Sequence, residues 1–225
     1  MNSEENMMQT LFLTSGGIVP EIKEYFLSLL EKNAERKRVA FVTTAAYGES
    51  KDPKWMEKDR KLLYDCGIKY IEDVDLKDKK GEEVEEILAN KDIVFVNGGN
   101  TFYLLYWMRK SGFDKVINDF LKRGGLYVGV SAGSYVACPT IEQAMWKRQD
   151  RNKIGITDVH ALNLVPFLIV AHFEEKYRSI INQSAKETKY PIVALNDKQA
   201  VVVQGNKVRV VGVGKREVWN GFEEQ

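Results

Sequence analysis

Short apolar runs alternate with longer amphipathic ones along most of this chain, and that rhythm constrains its fold more than any other feature. TLFLT (Thr10–Thr14), RVAFVT (Arg38–Thr43), Lys69–Val74, DIVFVN (Asp92–Asn97) and LYVGV (Leu126–Val130) read as strands. Between them, Pro20–Asn33, Lys51–Cys66, Gly81–Asn90, Thr101–Ser111 and Phe113–Arg123 carry apolar residues at helical spacing. Strands with no polar face are buried on both sides, and alternation with helices predicts a mostly parallel sheet covered on both faces. The last third changes character. Pro191–Leu195, Ala200–Val203 and Lys207–Val211 are short runs, and Gln204-Gly205-Asn206 between the last two predicts a hairpin. The expected α/β fold is therefore a mostly parallel central sheet that finishes in antiparallel strands. A chain of 225 residues without repeats or linkers is expected to form one domain.

Composition narrows the function. A formal net charge of +1 supplies no field to draw nucleic acid or anionic lipid. No run approaches the roughly 20 apolar residues of a membrane helix, and MNSEENMMQT lacks the basic start of a signal peptide. A cytoplasmic protein, monomer or homodimer, with reduced thiols is expected. Cys66 and Cys138 form no C-x-x-C pair, so no metal site is expected. Ser15-Gly16-Gly17 after the first strand lacks the spacing of a dinucleotide loop, and Asn97-Gly98-Gly99-Asn100-Thr101 lacks the Lys-Ser/Thr of a Walker loop. No cofactor is expected.

The chemistry concentrates in Gly129-Val130-Ser131-Ala132-Gly133, a G-x-S-x-G between an apolar strand and a helix-compatible run. In a nucleophile elbow, that pattern presents the serine at the carboxyl end of the sheet. The alternative is an ordinary turn with serine as helix cap. A serine nucleophile needs a base, and the chain has two histidines. His172 follows the apolar run Leu168–Ala171 and so falls at a strand end, whereas His160 lies in a polar segment. Two acids suit the base, Glu174 two residues on and Asp197 after Ile192–Leu195, and position leaves them level. The glycines of Asn97–Thr101 expose backbone N–H groups, and with the N–H of Ala132 they form a candidate oxyanion hole. Cys138 lies two helical turns beyond Ser131 and is expected in the core.

Four segments together resemble the peptidase E family, the aspartyl dipeptidases and cyanophycinase-like serine peptidases of family S51, whose fold is like that of class I glutamine amidotransferases. They are VNGGNTFYLL (Val96–Leu105), GVSAGSYVACPTI (Gly129–Ile141), ALNLVPFLIVAHF (Ala161–Phe173) and IVALNDKQAVVV (Ile192–Val203). The resemblance implies a serine peptidase acting on short peptides, with Ser131 as nucleophile, His172 as base and Asp197 as acid. It implies Gly99 and Ala132 as oxyanion donors, and Gly98, Asn100 and Thr101 beside the substrate. The family usually has glutamate at the position of Asp197, which keeps Glu174 as an alternative. The Asn-Asp-Met-Pro stretch by which aspartyl dipeptidases recognise substrate is replaced here, with Trp146 at the aspartate position. Arg148, Arg151 and Arg178 are candidates for meeting an acidic substrate group instead. Loss of that stretch opens two other readings, an esterase or amidase with the same triad, or a silent binding protein. The charged loop Gln143–Asp158 is a candidate lid.

Overall fold

The computed structural model describes residues 9–30, 33–148 and 150–225. The stretch read above for a signal peptide lies outside them up to Met8, as do the end of the first helical run at Glu31 and Lys32 and Gln149 of the charged loop.

The chain opens with β1 (Thr10–Thr14), α1 (Pro20–Ser28), β2 (Arg38–Val42), α2 (Thr44–Glu49), α3 (Trp55–Asp65) and β3 (Tyr70–Val74). It continues through α4 (Gly81–Ala89), β4 (Ile93–Val96), α5 (Thr101–Ser111), α6 (Phe113–Lys122) and β5 (Leu126–Val130). Then come α7 (Ala132–Ala137), α8 (Gln143–Trp146), β6 (Leu168–Val170) and α9 (Arg178–Ser184). β7 (Ile192–Ala194), β8 (Gln199–Gln204), β9 (Lys207–Gly212) and β10 (Glu217–Trp219) close the chain. The main sheet runs β3-β2-β4-β5-β1-β8-β9. Its first five strands are parallel, and β8 and β9 are antiparallel.

The alternation of side chains along each strand builds a core on each face. Leu11 and Leu13 of β1 pack with α4, α5, α6 and α7, whereas Phe12 joins α1 and α3 on the other side. Phe12, Phe26, Phe41 and Phe95 are fully buried in that second cluster. Each contributes about 1.5–3 kcal/mol of hydrophobic free energy. Pro20 starts α1 at a position where its missing N–H costs nothing. The Asn100 side chain caps α5 by accepting from the Tyr103 N–H at 2.9 Å.

The expected hairpin is β8–β9, closed through Gly205 and Asn206. The run Pro191–Leu195 behaves differently from expectation. It is the centre of a separate sheet, β10-β7-β6, parallel to β6 and antiparallel to β10. Apolar content marks a buried strand without naming its partner, and β6 supplies a fully buried neighbour. Among the described residues, no helix is long and apolar enough to cross a membrane.

Candidate active site

Ser131 sits on a sharp turn between β5 and α7, with φ 49° and ψ −104°. Side chains rarely adopt that backbone, and holding one there costs of order 1–3 kcal/mol. The surrounding packing explains how the turn is held. A Cβ on Gly129 would fall 2.6 Å from the Gly133 carbonyl oxygen, and one on Gly133 would fall 2.2 Å from that of Val96. β5, α7 and β4 thus approach at distances only glycine permits. The Ser131 N–H and the Ser134 hydroxyl both donate to the Thr14 carbonyl, at 3.0 and 2.8 Å, tying the turn to the end of β1. Gly133→Ala is therefore expected to destabilise the protein by about 3 kcal/mol or more. Gly98→Ala, whose Cβ would meet its nearest neighbour at 3.4 Å, is expected to cost about 1 kcal/mol or less. Urea midpoints of the two variants check this.

His172 lies two residues beyond β6, and its Nε2 is 2.9 Å from Ser131 Oγ. Its Nδ1 is 2.6 Å from Asp197 Oδ1. Asp197 stands in the turn between β7 and β8, so the small second sheet delivers both residues to the carboxyl end of the main one. The hydrogen bond from His172 holds the Asp197 carboxyl down at about 2; burial opposes the shift, and the Ser15 hydroxyl adds to it. Glu174 is ion-paired with Lys176 at 2.8 Å. His160 is exposed and paired with Asp158 at 2.7 Å. Cys138 is fully buried, and burial pushes its thiol up to about 12.

Ser15 is the residue that sequence reasoning missed. Its buried hydroxyl donates to Asp197 Oδ1 at 2.7 Å and accepts from the His172 N–H at 2.6 Å. It thereby fixes the acid and also the backbone of His172, itself left-handed at φ 54°. The only local signal was its place in the turn that closes β1.

A cavity of about 420 Å³ opens beside Ser131 and His172, with Gly99 on its wall. Tyr135 and Ala144 line part of it, and Glu49, Lys147 and Asp150 bring charge of both signs. Gly99 has φ 144°, and a Cβ there would be 2.2 Å from the Ala45 carbonyl oxygen. Its backbone is thus pressed between α2 and the cavity. Lys147 donates to the carbonyls of Ala171 and His172. Burial pushes its ammonium down to about 8, against the pull of Asp197, Glu174 and Asp150.

Of the other expected substrate contacts, Asn100, Thr101, Trp146 and Arg178 lie off the cavity lining. Asn100 and Thr101 are buried and tie the charged loop to α5. Asn100 Nδ2 donates to the Arg151 carbonyl at 2.9 Å, and the Thr101 hydroxyl and N–H donate to Asp150. Through these bonds the segment around α8 forms one wall of the cavity. Trp146 is partly buried against the core and off the cavity lining, where its neighbour Lys147 stands instead. Arg178 is bound by Glu175 and Glu217 and lies over Phe173 and Trp219. Gly98 packs 3.4 Å (as a Cβ would measure it) from the Ser131 Cβ.

Residues 11–211 match the model of peptidase family S51. An uncharacterized peptidase of Listeria monocytogenes, Lmo0363, is 31% identical over an alignment of 209 positions that covers 89% of this chain and 97% of that one. Peptidase E of Nostoc sp. is 29% identical over 78% of this chain and 73% of its own. A crystal structure described as a peptidase E protein from L. monocytogenes superposes with a TM-score of 0.79 at 28% identity, covering 92% of this chain and 100% of the other. A peptidase from an acI-B1 actinobacterium shares the fold, with a TM-score of 0.70 at 22% identity, over 98% of this chain and 94% of the other.

Proposed function

Because this chain belongs to peptidase family S51, we propose that it is a serine peptidase that cleaves short peptides through Ser131, His172 and Asp197. The observation that carries the reading is the unbroken line of hydrogen bonds from Asp197 through His172 to Ser131 at the mouth of the cavity. His172 Nε2 takes the hydroxyl proton as Ser131 Oγ attacks the scissile carbonyl carbon. The N–H groups of Gly99 and Ala132 receive the developing oxyanion. His172 then gives its proton to the leaving amine as the C–N bond breaks. Water, deprotonated by the same histidine, hydrolyses the acyl-enzyme. Asp197 holds the imidazole in the tautomer that leaves Nε2 free to accept.

Size and charge support a short substrate. At about 420 Å³ the cavity lies toward the small end of ligand pockets, roughly 300–1,000 Å³. Glu49 and Asp150 suit a free ammonium and Lys147 a free carboxylate, and a short unblocked peptide carries both.

The test is labelling with a fluorophosphonate followed by a substrate panel. The wild type is expected to label, and Ser131→Ala and His172→Ala to fail. Free dipeptides are then expected to be cleaved faster than their N-acetylated or amidated forms. Short acyl esters outrunning every peptide would move the assignment to an esterase. An unlabelled wild type that also leaves every substrate intact would indicate a binding protein.

A further inference from the structure

The core-facing stripe of α3 consists of Met56, Asp59 and Leu63, so a carboxyl group stands where a hydrophobic residue is expected. Asp59 is 6% exposed and forms no salt bridge among the described residues. Its Oδ2 accepts from Asn97 Nδ2 at 2.9 Å. Its Oδ1 packs on Gly17, where a Cβ would be 2.5 Å away. Asn97 is fully buried, and its Oδ1 has no donor. A buried acid without a counter-ion and a buried amide oxygen without a donor are each costly, by burial of charge and by loss of a hydrogen bond. One proton answers both. A neutral carboxylic acid is a donor as well as an acceptor, and it can exchange two hydrogen bonds with a primary amide.

The partners matter because of where they sit. Asn97 lies two residues before Gly99, in the turn that closes β4. Gly17 lies two residues after Ser15, in the turn that closes β1 and holds Asp197 and His172. We propose that Asp59 is a positioning residue that acts as the neutral acid, donating its proton to Asn97 Oδ1 and so clamping the Asn97–Gly99 turn to the Ser15–Gly17 turn. The consequence for catalysis rests on the triad reading above; the clamp itself does not. Ionisation removes the donor and sets a carboxylate against the Asn97 oxygen, which loosens both turns together.

The surroundings favour the neutral form. Burial raises the Asp59 carboxyl to about 6, with the Asn97 hydrogen bond and the charge of Lys58 opposing. Lys58 is on the same helix, and from the turns after β1 and β4 Gly17 and Asn97 lie against the carboxyl. The neighbouring Arg60 is engaged by Asp73 at 2.7 Å.

Asp59→Asn is the decisive variant, because an amide keeps both a donor and an acceptor at every pH. The folded carboxyl lies above its unfolded value of 3.8. The folded state therefore binds the extra proton, and stability falls as pH rises from about 4 to 6. Asp59→Asn abolishes that loss. The excess of its melting temperature over that of the wild type is expected to grow by roughly 5 °C between pH 5 and pH 8. The backbone amide resonances of Gly17 and Gly99 are expected to titrate together in the wild type with a midpoint near 6, a component absent from Asp59→Asn. Equal melting differences at both pH values, or resonances that titrate identically in the two proteins, would overturn the clamp.

The ratio of fluorophosphonate labelling rates, Asp59→Asn over wild type, cancels any titration within the shared triad. It is expected to rise about threefold from pH 5 to 8, while Asp59→Leu labels about tenfold slower and Asp59→Asn does not. A flat ratio beside the expected melting and resonance shifts would keep the clamp and refute its effect on the site. Absence of labelling in every protein would refute the triad reading alone.

Discussion

Ser131→Ala is expected to lower kcat on a free dipeptide by about 10⁵- to 10⁶-fold with KM within a few-fold of wild type. Among the described residues the hydroxyl has one side-chain hydrogen bond, 2.9 Å to His172 Nε2, so its loss removes a nucleophile and little else. The turn keeps its glycine contacts and its bonds to Thr14. Folding stability is expected to change by only about 1 kcal/mol, which a urea midpoint measures beside the kinetics. Residual activity above a hundredth of wild type would place the nucleophile elsewhere. Cys138 is no substitute, since its thiol is fully buried and held up at about 12. Ser134 is committed to the carbonyls of Thr14 and Gly129.

Asp197→Asn is expected to lower kcat by about 10⁴-fold. The carboxylate oxygen Oδ1 receives both the Ser15 hydroxyl and the His172 Nδ1. An asparagine that keeps its amide oxygen in that place accepts from both but lacks the charge that stabilises the imidazolium, and one turned the other way sets an N–H against both donors. Donated to Nδ1, that N–H forces the tautomer whose Nε2 carries the proton, and the base can no longer accept from Ser131. Glu174→Gln is expected to stay within about twofold, because Glu174 is occupied by Lys176 and not by the imidazole. A loss in Glu174→Gln that matches Asp197→Asn would exchange the two assignments. The stability effect of Asp197 has the opposite sign to that of Asp59. Its folded carboxyl lies below the unfolded 3.8, near 2. Asp197 therefore contributes stability above about pH 4, lost as pH falls through 2. Asp197→Asn is expected to flatten the acid limb of the melting curve, attenuated by the solvent exposure of the pair.

Where a feature is local, the sequence carries it. The apolar runs of β1, β2, β4 and β5 are buried on both faces, so their pattern needs no partner to be read. G-x-S-x-G is local as well, because a sharp turn between strand and helix demands small residues at fixed spacing. His172 stands out as one of two histidines and by its place after an apolar run. Position leaves Asp197 level with Glu174; only the family resemblance separates them, and the fold then brings Asp197 to the imidazole. The runs that become β6 and β7 are legible, but their pairing into a second sheet is not, because an apolar run three residues long names no partner.

By itself, then, the sequence determined the parallel sheet, the terminal hairpin and the strained serine turn, all encoded by residues within a dozen positions of one another. Tertiary structure decided which distant side chains brace the serine and its base. Ser15 and His172 are 157 positions apart, Asp59 and Asn97 are 38 apart, and Thr101 meets Asp150 across 49. Periodicity reports which face of an element is buried and not which distant side chain it will meet. The same limit sent Asn100 and Thr101 to brace a loop and put Lys147 at the cavity in place of Trp146. A hydrogen-bonding side chain takes its role from whatever the closed fold sets within about 3 Å of it.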